Sequence, residues 1–168
     1  MNSTQKFSLE LAELCREKWF SPPEDPLEEL SHSEIQLRRF CFENNQKVII
    51  EIGDKKQDLF LDPDIILILK ELPQVIFRLD RNENIEISFP ESEMTLYFQS
   101  VDNSKLKCIW RNYGESIAAE EFAIDKSQVI KVLKVFLDKI LIKAVQLDYI
   151  TLTEKNEFLL PSCQPINN

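Results

Sequence analysis

Residues 75–112, VIFRLDRNENIEISFPESEMTLYFQSVDNSKLKCIWRN, decide the fold class. The apolar sets Val75-Ile76-Phe77, Ile85/Ile87/Phe89, Leu96/Phe98 and Leu106/Cys108/Trp110 are separated by Asp80-Arg81-Asn82-Glu83-Asn84, Pro90-Glu91-Ser92 and Asp102-Asn103-Ser104. Apolar residues at period two between turn-forming clusters predict a meander of antiparallel strands. The intervening Glu86, Ser88, Tyr97, Gln99, Lys105, Lys107 and Arg111 fall on the opposite face, which is therefore wet or forms a contact. Asn112-Tyr113-Gly114 supplies a further turn, and 117–124 reads as another strand.

After the meander the period changes from two to 3.6. Asp125 stands as a helix cap with Gln128 in the reciprocal position, and Val129, Leu133, Phe136, Leu137, Ile140, Ala144 and Leu147 share one arc. This pattern predicts a long helix over 126–147 that covers the sheet. Lys131, Lys134, Lys139 and Lys143 take the opposite arc, the ordinary solvated face of such a helix. Val135, Ile142 and Val145 lie among them and form a second apolar stripe. That stripe calls for a cover, either an amino-terminal helix or a second copy of the chain.

Upstream, Phe7, Leu11, Leu14 or Cys15, and Trp19 at helical spacing predict an amino-terminal helix over 4–19, ended by Ser21-Pro22-Pro23. Asp25, Pro26 and Glu28 suggest a short capped turn, and Ser31-x-x-Glu34 is a second capping box. Residues 35–42 and 47–52 read as a hairpin joined by Glu43-Asn44-Asn45-Gln46. Asp62 as cap, Pro63 at the first position and Pro73 as a stop predict a buried helix over 63–72, although the run Ile65 to Leu69 suits a core strand equally well. The segment 149–160 alternates as a terminal strand or hairpin, followed by a frayed tail. The whole is an α+β chain: an antiparallel meander of about four to six strands, packed by a long helix in the carboxy-terminal half and an amino-terminal helix. Residues 1–168 read as a single domain, with a helical, acidic segment at 1–34, an α+β core at 35–160 and a tail at 161–168.

Composition limits the chemistry. Two glycines, Gly53 and Gly114, cannot build a phosphate-cradling loop, and the single histidine, His32, leaves triads and histidine-based metal sites without material. His32 sits in a polar stretch beside the capping box and reads as a surface residue. Cys15, Cys41, Cys108 and Cys163 are far apart with no Cys-x-x-Cys pair, so they read as reduced thiols of a cytoplasmic protein. No stretch approaches the roughly 20 apolar residues that span a bilayer, so no membrane role is expected.

Twenty basic and 29 acidic side chains give a net charge of −9, which argues against nucleic acid as a direct partner. The acids are concentrated early: residues 1–100 hold 11 basic and 20 acidic groups, whereas 125–147 hold 5 basic and 2 acidic. Asp54, Asp58, Asp62 and Asp64 invite a metal-assisted hydrolase reading. They lack the spacing and glycine of a calcium loop, and capping and turn chemistry accounts for them, so no metal or cofactor is expected. Tyr97, Trp110 and Tyr113 lack the flanking basic density of a base-stacking surface and read as sheet packing.

In composition the chain resembles bacterial immunity proteins and antitoxins, small acidic proteins that neutralise an enzyme by covering its basic active-site cleft. The expectation is a non-enzymatic protein-binding module, an acidic inhibitor whose partner is a basic protein. Its contact residues would be Glu24, Asp25, Glu28, Glu29, Glu83, Glu86, Glu91 and Glu93. The alternatives are a structural subunit of a larger complex, which includes a homodimer through the 126–147 helix, and the metal-assisted hydrolase.

Overall fold

The computed structural model describes residues 3–14, 29–114 and 119–161. The architecture is α+β, with two antiparallel sheets and five helices. Strands β1 (Phe7–Leu14), β2 (Gln46–Ile52) and β3 (Lys55–Phe60) form one sheet in the order β1-β2-β3. Strands β4 (Ile85–Phe89), β5 (Met94–Ser100), β6 (Lys105–Asn112) and β7 (Glu120–Asp125) form the second as a simple meander. The helices are α1 (His32–Glu43), α2 (Ile66–Ile68), α3 (Leu72–Asp80), α4 (Lys126–Gln146) and α5 (Leu152–Phe158).

The meander follows its alternation. Ile87 pairs with Leu96, Leu96 with Trp110, and Cys108 with Phe122, which sets one apolar face inward. Its turns are closed by the residues that punctuate the sequence. Asp102 Oδ1 accepts from the Ser104 and Lys105 amides, a single 3₁₀ turn occupies Pro90–Ser92, and Glu93 takes a left-handed φ of 50°. Between β2 and β3 the chain turns at Gly53, where φ is +62° and a Cβ would come within 3.3 Å of the Gln5 side chain. Both the conformation and the close approach require glycine there.

Residues 7–14 form a strand where a helix was expected over 4–19, and 15–19 lie outside the described residues. Phe7 and Leu11 fit both periods, since a spacing of four residues suits a helix turn and a strand face alike. Leu9 decides between them: Phe7 and Leu9 are buried, Glu10 is exposed, and β1 pairs along β2 from Phe7↔Ile52 to Leu11↔Val48. The helix of the amino-terminal part lies instead at α1, where 35–42 was expected to be extended. Its start is the Ser31-x-x-Glu34 box, in which Ser31 Oγ accepts from the Glu34 amide and Glu34 Oε2 from the Ser31 amide. Leu37, Phe40 and Cys41 then turn inward at helical spacing. Asp25, Pro26, Trp19, Cys15 and Cys163 lie outside the described residues.

The expected helix at 63–72 is divided. Leu61–Ile65 forms a π-turn, α2 continues it briefly, and Asp62 is extended and caps nothing with its side chain. Pro73 does not stop the helix; it sits in the first turn of α3, where its missing N–H would have no helical partner anyway. Accordingly Val75, Ile76 and Phe77 are helical rather than a first meander strand. At the carboxy-terminal end α5 replaces the expected strand or hairpin, because Thr151 and Glu154 form a second reciprocal capping box.

Helix α4 starts after Asp125 as expected, but the Asp125 and Gln128 side chains do not cap it. Asp125 Oδ2 accepts from Thr4 Oγ1 at 3.1 Å and Gln128 Oε1 from the Phe7 amide at 3.0 Å, which ties the entrance of β1 to the start of α4. Val129, Leu133, Phe136, Leu137, Ile140 and Ala144 are buried as expected, whereas Leu147 ends the helix in solvent. Side chains from both sheets and from α1, α3 and α4 join one hydrophobic cluster, with Trp110, Phe7, Phe40, Phe89, Phe98 and Phe136 its largest members.

Phe136 is buried in the hydrophobic cluster on the inner side of α4. Phe136→Ala lowers unfolding free energy by about 3–5 kcal/mol, whereas Lys134→Ala on the exposed side of the same helix stays within about 0.5 kcal/mol. Urea denaturation of the two variants beside wild type checks both.

Candidate functional site

Two aspartates of the metal reading, Asp58 and Asp64, have side chains engaged in separate structural contacts. Asp54 is exposed in the β2–β3 turn, and Asp58 pairs across the ladder with Lys47 at 2.5 Å. The Asp62 backbone exchanges two hydrogen bonds with the Asn45 side chain. Asp64 is 1% exposed; its Oδ2 accepts from the Phe60 amide at 2.9 Å and its Oδ1 from Ser92 Oγ at 2.7 Å, clamping the π-turn to the turn after β4. Burial pushes both the Asp64 and the Asp62 carboxyls above their ordinary range, against hydrogen bonds at Asp64 and the Arg38 charge near Asp62. Among the described residues no group of three or more His, Cys, Asp or Glu side chains is placed to hold a metal.

The other reactive types are equally committed. Cys41 and Cys108 are buried, unpaired thiols, and burial pushes the Cys108 pKa up to about 12, far from the range in which a thiol becomes a nucleophile at neutral pH. His32 is the exposed first residue of α1 beside its cap. Trp110 is buried, donates from Nε1 to Asn112 Oδ1 and has the Lys55 ammonium 5.4 Å from its ring centroid, while Lys55 also pairs with Glu120. Tyr97 is half-buried, and Tyr113 is exposed and accepts from Thr95 Oγ1.

Of the eight carboxylates expected to meet a partner, Glu24, Asp25 and Glu28 lie outside the described residues, and Glu29 is exposed ahead of α1. Glu83 is engaged, with Arg78 Nε at 2.9 Å and Arg81 Nε at 3.7 Å. Glu86 points outward from β4, and Glu91 and Glu93 are exposed in the turn that follows. These three make no side-chain ion pair or hydrogen bond among the described residues. Because β4 is an edge of its sheet, they follow one border of the molecule.

The second apolar stripe is only partly covered. Val145 packs against the core, but Val135 is 46% exposed and Ile142 41% exposed. Of the amino-terminal segment, the described part, β1, meets α4 from the side on which Phe7 is buried rather than over this stripe. Lys143 has left the solvated face to donate to Gln46 Oε1 at 2.8 Å, while Lys131, Lys134 and Lys139 remain exposed.

Beside Val135 a groove of about 540 Å³ opens between α3 and α4. It is lined by Pro73, Ile76, Phe77 and Asp80 of α3, by Lys134, Val135, Leu137 and Asp138 of α4, and by Leu159 and Pro161. Phe77 is 42% exposed, and the Arg81 guanidinium lies 5.5 Å from its ring centroid. Sequence reading missed this feature because it assigned Phe77 to a strand. Residues Pro73, Ile76, Phe77 and Asp80, spaced along one helix face, carried the signal.

No family model, curated protein or solved structure matches the chain. Among the described residues no helix is long and apolar enough to cross a membrane.

The raised carboxyl of Asp64 gives a pH signature with a definite sign. Its folded-state pKa lies above the unfolded value of about 3.9, so the folded chain takes up the proton first as pH falls; the stability this group contributes is full below the unfolded value and is lost as pH rises through the folded one. Asp64→Asn keeps an acceptor for the Phe60 amide and removes the ionisation. The stability difference, wild type minus Asp64→Asn, therefore rises as pH falls from 7 toward 4. Asp64→Ala orphans the Phe60 amide and costs about 1–3 kcal/mol. Denaturation midpoints across that pH range measure both effects.

Proposed function

We propose that this chain is a non-catalytic protein-binding module whose acidic border meets a basic partner, in the manner of an inhibitor of the immunity type. One observation carries this reading: Glu86, Glu91 and Glu93 stand exposed and unpaired among the described residues along edge strand β4 and its turn, in a chain of net charge −9. Carboxylates whose charge is not cancelled within the fold project a field that speeds encounter with a basic surface and selects its orientation. Glu29 extends the acidic character toward α1, whereas Glu83, held by Arg78 and Arg81, shapes its own turn instead. The net charge disfavours a phosphate backbone as the partner. The buried thiols suit a reducing compartment, which supports a cytoplasmic location.

A structural subunit of a larger complex is the second reading, and the exposed Phe77, Val135 and Ile142 favour it. Of the four aspartates of the metal-assisted hydrolase reading, Asp58 is paired with Lys47 and Asp64 is held by Phe60 and Ser92, and among the described residues no group of three or more His, Cys, Asp or Glu is placed to hold a metal.

Reversing Glu86, Glu91 and Glu93 to lysine together tests the acidic border. Affinity-purified chain incubated with extract of its native cell should retain one stoichiometric basic protein at low salt, and the triple variant should bind that protein at least tenfold more weakly, chiefly through slower association. Equal binding by both forms, or no partner at any salt concentration, refutes the reading.

A further inference from the structure

The groove between α3 and α4 differs in charge from the acidic border, and the inference drawn from it does not rest on the reading above. Isolated apolar side chains on a surface need no explanation, and neither do lysines on a solvated helix. Here, however, a half-exposed aromatic ring, an exposed valine and a concavity of about 540 Å³ coincide, a volume within the ordinary range for a binding cleft. The cations beside them are not neutralised. Lys131, Lys134 and Lys139 make no ion pair among the described residues, while the nearby Asp138 is already held by Lys155 at 2.8 Å. Asp80 is the one further carboxylate of the lining. Thus the lining itself carries Lys134 beside Asp80 and the already paired Asp138, and the unpaired Lys131 and Lys139 flank Val135 four residues to either side on α4, a segment in which basic residues outnumber acidic ones.

The dimensions suit a helix. Two packed helices leave a groove that a third fills with side chains at positions i, i+3, i+4 and i+7. Its α3 wall from Pro73 to Asp80 runs about 10 Å, roughly two helical turns. A second copy of the chain fits poorly, because a two-fold contact through α4 would set its lysines against their own copies.

We propose that the α3–α4 groove docks an acidic amphipathic helix of a partner protein, with apolar side chains against Phe77 and Val135 and carboxylates facing Lys131, Lys134 and Lys139. The apolar contacts provide the anchor, and the lysines select acidic over basic segments and fix the direction in which the helix lies.

A display library of random 16-residue peptides, selected on the full chain and counter-selected on Phe77→Asp, tests this directly. Phe77 is exposed, so the variant is expected to keep the wild-type melting temperature, and Phe77→Ser serves if it does not. Enriched sequences should carry large apolar residues at i, i+3 or i+4 and i+7, with an excess of Asp and Glu. Affinity of the best synthetic peptide should fall at least tenfold for Val135→Ser and for the double reversal Lys131→Glu with Lys134→Glu. The double reversal should also admit a lysine-substituted version of that peptide. Failure to enrich any Phe77-dependent sequence overturns the proposal, as does enrichment of basic or unpatterned ones. Phe77-dependent adsorption to phosphatidylglycerol vesicles without peptide enrichment would assign the groove to a lipid surface. A dimer abolished by Phe77→Asp would assign it to a second copy. Each of these outcomes leaves the acidic border of β4 untouched, so the two readings fail separately.

Discussion

Phe7 is the point at which the structure is held together. Its ring packs edge-on against Phe98 of the second sheet with centroids 6.0 Å apart, and its backbone pairs with Ile52 in the first sheet. Its amide is accepted by Gln128 in the first turn of α4. One residue early from the start of β1, Gly53 donates to the Lys6 carbonyl, and Gln5 donates to the Ala123 carbonyl on β7. A three-stranded sheet is small for independent stability; joined to the meander and to α4 through this corner, its inner side chains share one cluster with theirs. The unusual use of Asp125 and Gln128 follows from the same corner, because residues suited to close a helix end are engaged by the chain entering beside it.

The legible parts were those in which one period ran without competition. The strands of 85–112 alternate cleanly between turn clusters, and α4 keeps its apolar arc from Val129 to Ala144, about four turns. Elsewhere two readings shared residues. Phe7 and Leu11 belong to both periods, so only the pairing with β2 separates strand from helix. Pro73 looks like a terminator but stands where a helix tolerates proline. In α5 the alternation of Tyr149, Thr151 and Thr153 with Ile150 and Leu152 masked a capping box, although Thr151-x-x-Glu154 was plain in the sequence. For α1 the box was recognised at Ser31 and Glu34, and the strand-like IQLRRFCF that follows concealed its consequence.

The surfaces were legible to the same uneven degree. The stripe of Val135 and Ile142 among lysines can be read from helical spacing alone. The loss of Glu83 to Arg78 and Arg81 cannot, since it depends on how the chain leaves α3 and enters β4. Nor can the groove, which exists only because α3 continues through Pro73 and lays Phe77 beside Val135. What emerges is a molecule with two unlike surfaces: carboxylates unpaired among the described residues along an edge strand, and exposed apolar side chains beside the lysines of α4.

If the Phe7 corner joins the two sheets and α4 into one cooperative core, they unfold together. Native-state hydrogen exchange in increasing denaturant measures this most directly. The slowest amides of β2, β5, β6 and α4 should converge on a single opening free energy equal to that of global unfolding. Exchange of β2 through a smaller, separate opening while the meander and α4 stay protected would contradict the account.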